Sequence, residues 1–243
     1  MKLVFASNNA HKLDEVRAIM PAEVQILSLH DIGFEQEIEE NGTTLEANSY
    51  IKASTVAAFI NDGLMNGDAA LNGESIDGVF ADDTGLEIDA LNGQPGVYTA
   101  RWYSRSHPSD MYQNPVLVGS PRELRSPQKL KFSGTPLTEK DIFAANRAKA
   151  LRELDGKTNR GAQFRTVITL IKLSAISSQP SEIQVSGVVR GRIATEEYGV
   201  GGFGYDPVFI PEGYDKTFGE LPAEIKNGIS HRARALQALV QIL

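Results

Sequence analysis

The chain has 243 residues, no cysteine and a formal net charge of −7. That length suits one large domain or two small ones. The missing cysteines exclude disulfides, thiolate nucleophiles and cysteine-based zinc sites, and the acidic balance excludes a global positive field that would draw in polymeric nucleic acid.

No stretch approaches the roughly 20 apolar residues of a membrane span. The opening run, residues 1–6, is too short for a signal peptide and reads as a first strand. Together with the absent cysteines this fits a cytoplasmic protein.

Strand residues 2–6 lead into the polar segment Ser7-Asn8-Asn9-Ala10-His11-Lys12 and then a helical run over 13–20. A strand opening through a small polar loop into a helix is an anion-binding layout, with loop amides and the helix N-terminus facing the ligand. There is no GxxxxGK[ST], so the loop is not of the Walker type. The plainer alternative is that Ser7 or Asn8 only caps the helix. Residues 24–29 form a second predicted strand.

The acidic run Glu35, Glu37, Glu39 and Glu40 reads as a solvated loop. Asn41-Gly42 signals a turn, and Thr43 or Thr44 caps a helix over 45–60. Asn48 and Lys52 share one face of it, which looks either into a cleft or into water. Residues 61–77, rich in Gly, Asn and Asp, read as a surface loop.

The stretch Val79-Phe80-Ala81-Asp82-Asp83-Thr84-Gly85-Leu86-Glu87-Ile88 places two carboxylates between apolar runs. Val79 to Ala81 reads as a short buried strand, and Leu86 with Ile88 as a half-buried one. Asp82 and Asp83 are therefore expected at a strand end or tight turn. Paired carboxylates repel, and a proton or a divalent cation would relieve them. The alternative is a solvated turn.

From about 104 to 140 the periodicity fails and prolines accumulate, which reads as a long loop or excursion. A helix follows over 141–154, then strands over 164–173 and 183–193. A glycine-rich loop holds Phe203, Gly204, Tyr205 and Asp206, with rings available to stack on a base, before a short strand over 208–210. Lys226 precedes Ser230, the predicted N-cap of a last helix beginning His231-Arg232.

Five blocks, SNNAHKLDE (7–15), EENGTTLEAN (39–48), FADDTGLEIDALNGQPGVYTARW (80–102), GGFGYDPVF (201–209) and KNGISHRARAL (226–236), occur in one order across the chain. Together they resemble the inosine triphosphate pyrophosphatase family of noncanonical purine nucleoside triphosphate pyrophosphatases. The resemblance implies an elongated α/β fold, with a strongly twisted central mixed sheet and helical lobes flanking a nucleotide-binding cleft. It implies a homodimer and Mg²⁺-dependent cleavage of ITP, dITP and XTP to monophosphate and pyrophosphate.

The resemblance also assigns roles. Ser7, Asn8, Asn9, Ala10, His11 and Lys12 match a phosphate-binding loop. Glu40, Asp83 and Asp82 match the metal-binding carboxylates, Asp83 doubling as general base. Thr84 matches a substrate-contacting hydroxyl. Phe203, Gly204, Tyr205 and Asp206 match the base-binding loop. Lys226, His231 and Arg232 match residues near base and phosphates.

Residues 1–243 are expected to form one such domain, with about 104–140 as an insertion. Alternatives are a Maf-like pyrimidine nucleotide pyrophosphatase and a nucleotide-binding protein without turnover. Asp83-Thr84-Gly85 is also the aspartic protease tripeptide, but it occurs once where two are needed.

Overall fold

A computed structural model describes residues 1–66, 75–106, 114–117, 130–133, 138–173 and 181–243. The chain forms two compact units, one of Met1–Thr84, Arg165–Val188 and Asn227–Leu243, the other of Gly85–Phe164 and Val189–Lys226. The strands of the main sheet are β1 (Lys2–Phe5), β2 (Gln25–Leu27), β3 (Gly78–Ile88), β4 (Pro95–Gly96), β7 (Gly161–Lys172), β8 (Ser181–Ile193) and β9 (Phe209–Pro211). Among the described residues their hydrogen-bonded order is β2-β1-β3-β7-β8-β9, with β4 paired to β3. β1 runs parallel to β2 and β3, whereas β4 is antiparallel to β3 and β9 to β8. The mixed α/β sheet expected from the resemblance is thus present.

In the first unit the pleat of β1 and β3 sends alternate residues to two cores. Val4, Ala6, Val79 and Ala81 pack with Ala53, Val56, Ala57 and Ile60 of α2 (Leu45–Asn66). Leu3, Phe5 and Phe80 pack with Val16 of α1 (Ala10–Ile19) and with Ala235, Leu236 and Leu239 of α6 (His231–Val240). The Phe5 and Phe80 rings stack with centroids 5.0 Å apart. Each such buried large apolar side chain contributes about 1.5–3 kcal/mol.

Several boundaries differ from the sequence reading. Asn9, not Ser7 or Asn8, caps α1, its Oδ1 accepting from Lys12 N at 3.0 Å. Thr44 caps α2, its Oγ1 accepting from Ala47 N at 3.1 Å. α2 runs on to Asn66 through residues read as loop; Gly and Asn cost a helix only up to about 1 kcal/mol each, which the packed face upstream outweighs. Residues 67–74 of that expected loop lie outside the described residues.

The larger difference is β3. The two predicted short strands are one strand of eleven residues, and Asp82 and Asp83 lie inside it rather than at a turn.

In the second unit α4 (Glu139–Glu153) starts from a capping box between Thr138 and Asp141. The Asn146 side chain accepts from Tyr103 N and donates to Ala100 O, tying α4 to α3 (Trp102–Ser106) and the turn before it. The Arg160 guanidinium donates to the carbonyls of Leu154, Ile193 and Ala194. Phe209 sits between Phe164 and Phe218, at 4.8 and 5.4 Å. Within the expected loop at 104–140, β5 (Asn114–Leu117) and β6 (Leu130–Ser133) pair antiparallel. Strands of four residues are too short to register as periodicity. The remainder of that stretch, apart from 104–106 and 138–140, lies outside the described residues. Near the C-terminus, α5 (Ala223–Ile229) is a short helix over residues read only as a polar block.

Helix α6 approaches β8 closely at Gly187. A Cβ there would lie 2.2 Å from His231 O and 2.3 Å from Ala235 N, both backbone atoms that cannot swing aside. Gly187→Ala is therefore expected to destabilise the protein by about 1–3 kcal/mol, measured as a lowered urea midpoint at unchanged m-value.

Candidate functional site

Asp82 and Asp83 are adjacent in sequence, yet the strand turns them to opposite faces. Asp82 follows Phe80 to the α1 and α6 side. Its Oδ1 accepts from Lys12 Nζ at 2.9 Å and its Oδ2 from Arg232 Nε at 3.0 Å. Arg232 also pairs with Glu15 of α1. Burial opposes ionisation of Asp82, but Lys12, Arg232 and Lys52 overcome it and hold the carboxyl well below the usual carboxylate range. Burial likewise opposes the Arg232 charge, which Asp82 and Glu15 restore.

Asp83 follows Ala81 to the α2 side. Its Oδ2 accepts from Asn48 Nδ2 at 3.2 Å, and its Oδ1 lies 3.5 Å from Lys52 Nζ. The same ammonium lies 3.2 Å from Glu40 Oε2. Burial raises the Asp83 pKa, with Glu40 and Asp82 adding to the rise and Lys52 and Lys12 opposing it. For Lys52, burial would lower the pKa, but Asp83 and Glu40 outweigh it and raise the value.

The loop that carries Glu40 is held by Asn48, whose Oδ1 accepts from Gly42 N at 2.8 Å. A Cβ on Gly42 would lie 2.6 Å from that oxygen, so this approach needs glycine. Ser49 ties α2 to the sheet, donating to Ala81 O and accepting from Thr169 N, both at 2.8 Å. Thr84 Oγ1 is 2.8 Å from Thr166 Oγ1.

The first unit thus gathers Lys12, Glu40, Asp82, Asp83, Thr84 and Arg232 of the predicted residues, with buried His231 beside Arg232 in the chain. Asn9 serves as the helix cap, and Ser7 Oγ accepts from Asn9 N at 3.3 Å, which shapes the turn before α1.

Sequence reading assigned no site role to Asn48, Lys52 or Glu15, though it placed Asn48 and Lys52 on one helix face. The four-residue spacing of Asn48 and Lys52 was the available signal, but it fixes a shared face and not what the face meets.

The second unit holds the other constellation. Asp206 Oδ2 accepts from Phe203 N at 2.8 Å and from Lys226 Nζ at 2.7 Å. The Lys226 ammonium stands 4.9 Å from the centre of the Phe203 ring. Asp206 and Lys226 therefore shape the loop from within. Gly204 O accepts from Arg147 at 2.9 Å. Tyr205, expected as a stacking ring, is buried and donates its hydroxyl to Thr99 O at 3.2 Å. Burial pushes its phenol far above the usual value. Phe203 is the more accessible ring of the two.

Among the described residues no group of three or more His, Cys, Asp or Glu side chains gathers as a metal cage. What converges on one point is the Glu40–Asp83 pair, through the shared Lys52 ammonium. Two hard carboxylate donors, with the remaining positions left to water and phosphate oxygens, fit Mg²⁺, which prefers that mixture to an all-protein cage.

The mixed sheet with helices packed on its faces and buried ion pairs on both sides of β3 defines an α/β protein, and comparison with known proteins narrows the class. The Ham1 family model matches residues 3–135 and 130–242. The chain is 37% identical to the dITP/XTP pyrophosphatase of Flavobacterium johnsoniae, over 100% of this chain and 98% of that one. It is 38% identical to the protein of the same name from Chlorobaculum tepidum, over 97% and 89%. The Staphylococcus aureus Ham1 structure superposes with a TM-score of 0.68 at 30% identity, covering 100% of this chain and 97% of that one. For the dITP/XTP pyrophosphatase of Mycobacterium abscessus the TM-score is 0.60 at 32% identity, covering 99% of both. This chain belongs to the Ham1 family.

Asp82→Asn would leave buried Arg232 with Glu15 alone and take the carboxylate from half-buried Lys12, and a loss of about 1–3 kcal/mol is expected. The folded-state pKa of Asp82 is lowered, so its stabilisation stands at pH values above the ordinary carboxylate pKa and fades as pH falls through the lowered value. The wild-type minus variant stability difference, measured by denaturant unfolding, should accordingly be constant from pH 8 to about 5 and shrink only in stronger acid.

Proposed function

We propose that this protein hydrolyses noncanonical purine nucleoside triphosphates, ITP, dITP and XTP, to the monophosphate and pyrophosphate, clearing them from the nucleotide pool. The observation that carries the reading is the Lys12–Asp82 and Lys52–Asp83–Glu40 arrangement on the two faces of β3, which offers cations for phosphates beside a buried carboxylate. That the full-length relatives are dITP/XTP pyrophosphatases supports the substrate class.

In this reading Ser7 to Lys12 and the N-terminus of α1 receive the phosphates. Glu40 and Asp83 would hold Mg²⁺, whose charge would offset that of the phosphate oxygens. Both oxygens of Asp82 are engaged by cations, which favours an anchoring role for it over direct metal binding. Asp83 takes a proton from the attacking water. The water oxygen bonds to the α-phosphorus as the bond from that phosphorus to the bridging oxygen breaks. Pyrophosphate leaves with the electron pair, stabilised by Lys12.

Phe203 offers the face for a purine, and Asp206 and Lys226 set its loop. A purine with a 6-oxo group accepts a hydrogen bond where adenine would present a donor, so a buried donor in the site rejects adenine. We further take residues 1–243 as one functional domain with an insertion at about 104–140, acting as a cytoplasmic homodimer. Among the described residues no helix is long and apolar enough to cross a membrane.

Three outcomes test this. Pyrophosphate release across ITP, XTP, dITP, GTP, ATP, UTP and dTTP should be confined largely to the first three; equal rates throughout would defeat purine selectivity, and a pyrimidine preference would favour the Maf-like reading. Chelation by EDTA should stop turnover, and added Mg²⁺ should restore it. Asp83→Asn should lower kcat by about 10²–10⁴-fold, the usual reach of a general base, with an unaltered circular dichroism spectrum.

A further inference from the structure

The side chain at the point where Glu40 and Asp83 converge is itself a cation. Lys52 is buried on α2, one turn beyond Asn48, and its ammonium spans the pair at 3.2 and 3.5 Å. Asn48 fixes both ends of the pair, donating to Asp83 and accepting from the Gly42 amide of the Glu40 loop. The carboxylates are thus preorganised around a single position that Lys52 fills. A divalent cation on both carboxylates would stand against that ammonium, and two like charges in a poorly solvated site repel strongly.

We propose that Lys52 is a built-in competitor for the cation site, so that the divalent ion loads together with the triphosphate rather than before it. The proposal rests on Glu40 and Asp83 being the cation site. A polyphosphate supplies anionic oxygens to which the flexible lysine stem can transfer its ammonium. With the ammonium so engaged, Glu40 and Asp83 are released to the metal. Nucleotide and metal then favour each other's binding, and by linkage the effect is reciprocal. In the resting protein, Lys52 keeps the two carboxylates together without an ion.

The test is Mn²⁺ binding to the nucleotide-free protein, followed by isothermal titration calorimetry and by the electron paramagnetic resonance signal of free Mn²⁺. Lys52→Met removes the charge at similar length and should tighten Mn²⁺ binding by about tenfold or more, the scale of one close unit charge. Glu40→Gln combined with Lys52→Met should abolish the gain. Lys52→Arg keeps a cation at the pair and should bind Mn²⁺ as weakly as wild type; this variant retains the ion pairs, so it remains informative if the methionine variant does not fold. Equal or weaker affinity in a folded Lys52→Met protein, or tighter binding in Lys52→Arg, overturns the proposal while leaving the cation site intact. No Mn²⁺ binding to any variant overturns the assignment of the site as well. A lysine that merely packed against α2 would change the unfolding midpoint without raising metal affinity.

Discussion

A β-strand turns successive side chains to opposite faces, and β3 places an aspartate on each face of the first unit's sheet. The two carboxylates do not act as a pair. Asp82 belongs to the side covered by α1 and α6, and Asp83 to the side covered by α2. Each therefore has its own contacting cations, Lys12 and Arg232 for Asp82 and Lys52 for Asp83, while Lys12 and Lys52 also act on the other carboxylate from further off. Asp82 is held ionised by Lys12 and Arg232, while burial dominates Asp83 and raises its pKa. One strand thus separates a carboxylate held ionised by neighbouring cations from one whose ionisation burial opposes.

Burying these charges is tolerable only because partners arrive from distant parts of the chain. Arg232 comes from the last helix, Lys12 from the first, and both meet a strand in between. Removing either cation leaves Asp82 with a single one, and removing Asp82 leaves Arg232 with Glu15 alone, so each loss weakens the compensation of a buried charge. The second unit repeats the device with Asp206 and Lys226, where the carboxylate also takes the Phe203 amide. In both units an ion pair fixes a loop or helix terminus, so the polar groups that set the chemistry also set the local backbone.

The Glu40 loop shows how such a site is assembled from weak local signals. Asn41-Gly42 reads only as a turn, and Asn48 only as a polar residue on a helix face. In the structure the Asn48 amide joins the two, and the turn brings Glu40 to the ammonium that Asp83 already shares. One side chain joins the two carboxylates, and the sequence shows the helix face it lies on but not what it meets there.

Sequence alone determined a good deal. The β1–α1 opening, the α4 and α6 helices, the Ser230 cap and strands β7, β8 and β9 follow from periodicity and capping chemistry, to within a few residues. The ordered blocks marked the family, and they contained most of the charged residues that the first unit gathers. What only the tertiary structure decided was where a charge could be buried. Residue by residue, Asp82-Asp83 looks like an end to an apolar strand, because an unpaired carboxylate in a core is prohibitive. The strand continues because Lys12, Arg232, Asn48 and Lys52 reach it from other elements. In the same way Asp206 is buried beside Lys226 and the Phe203 amide, an internal support that the sequence did not announce. Local patterns report which face a residue occupies; the cations that make a buried carboxylate tolerable are set by long-range packing, so they appear only once the chain is folded.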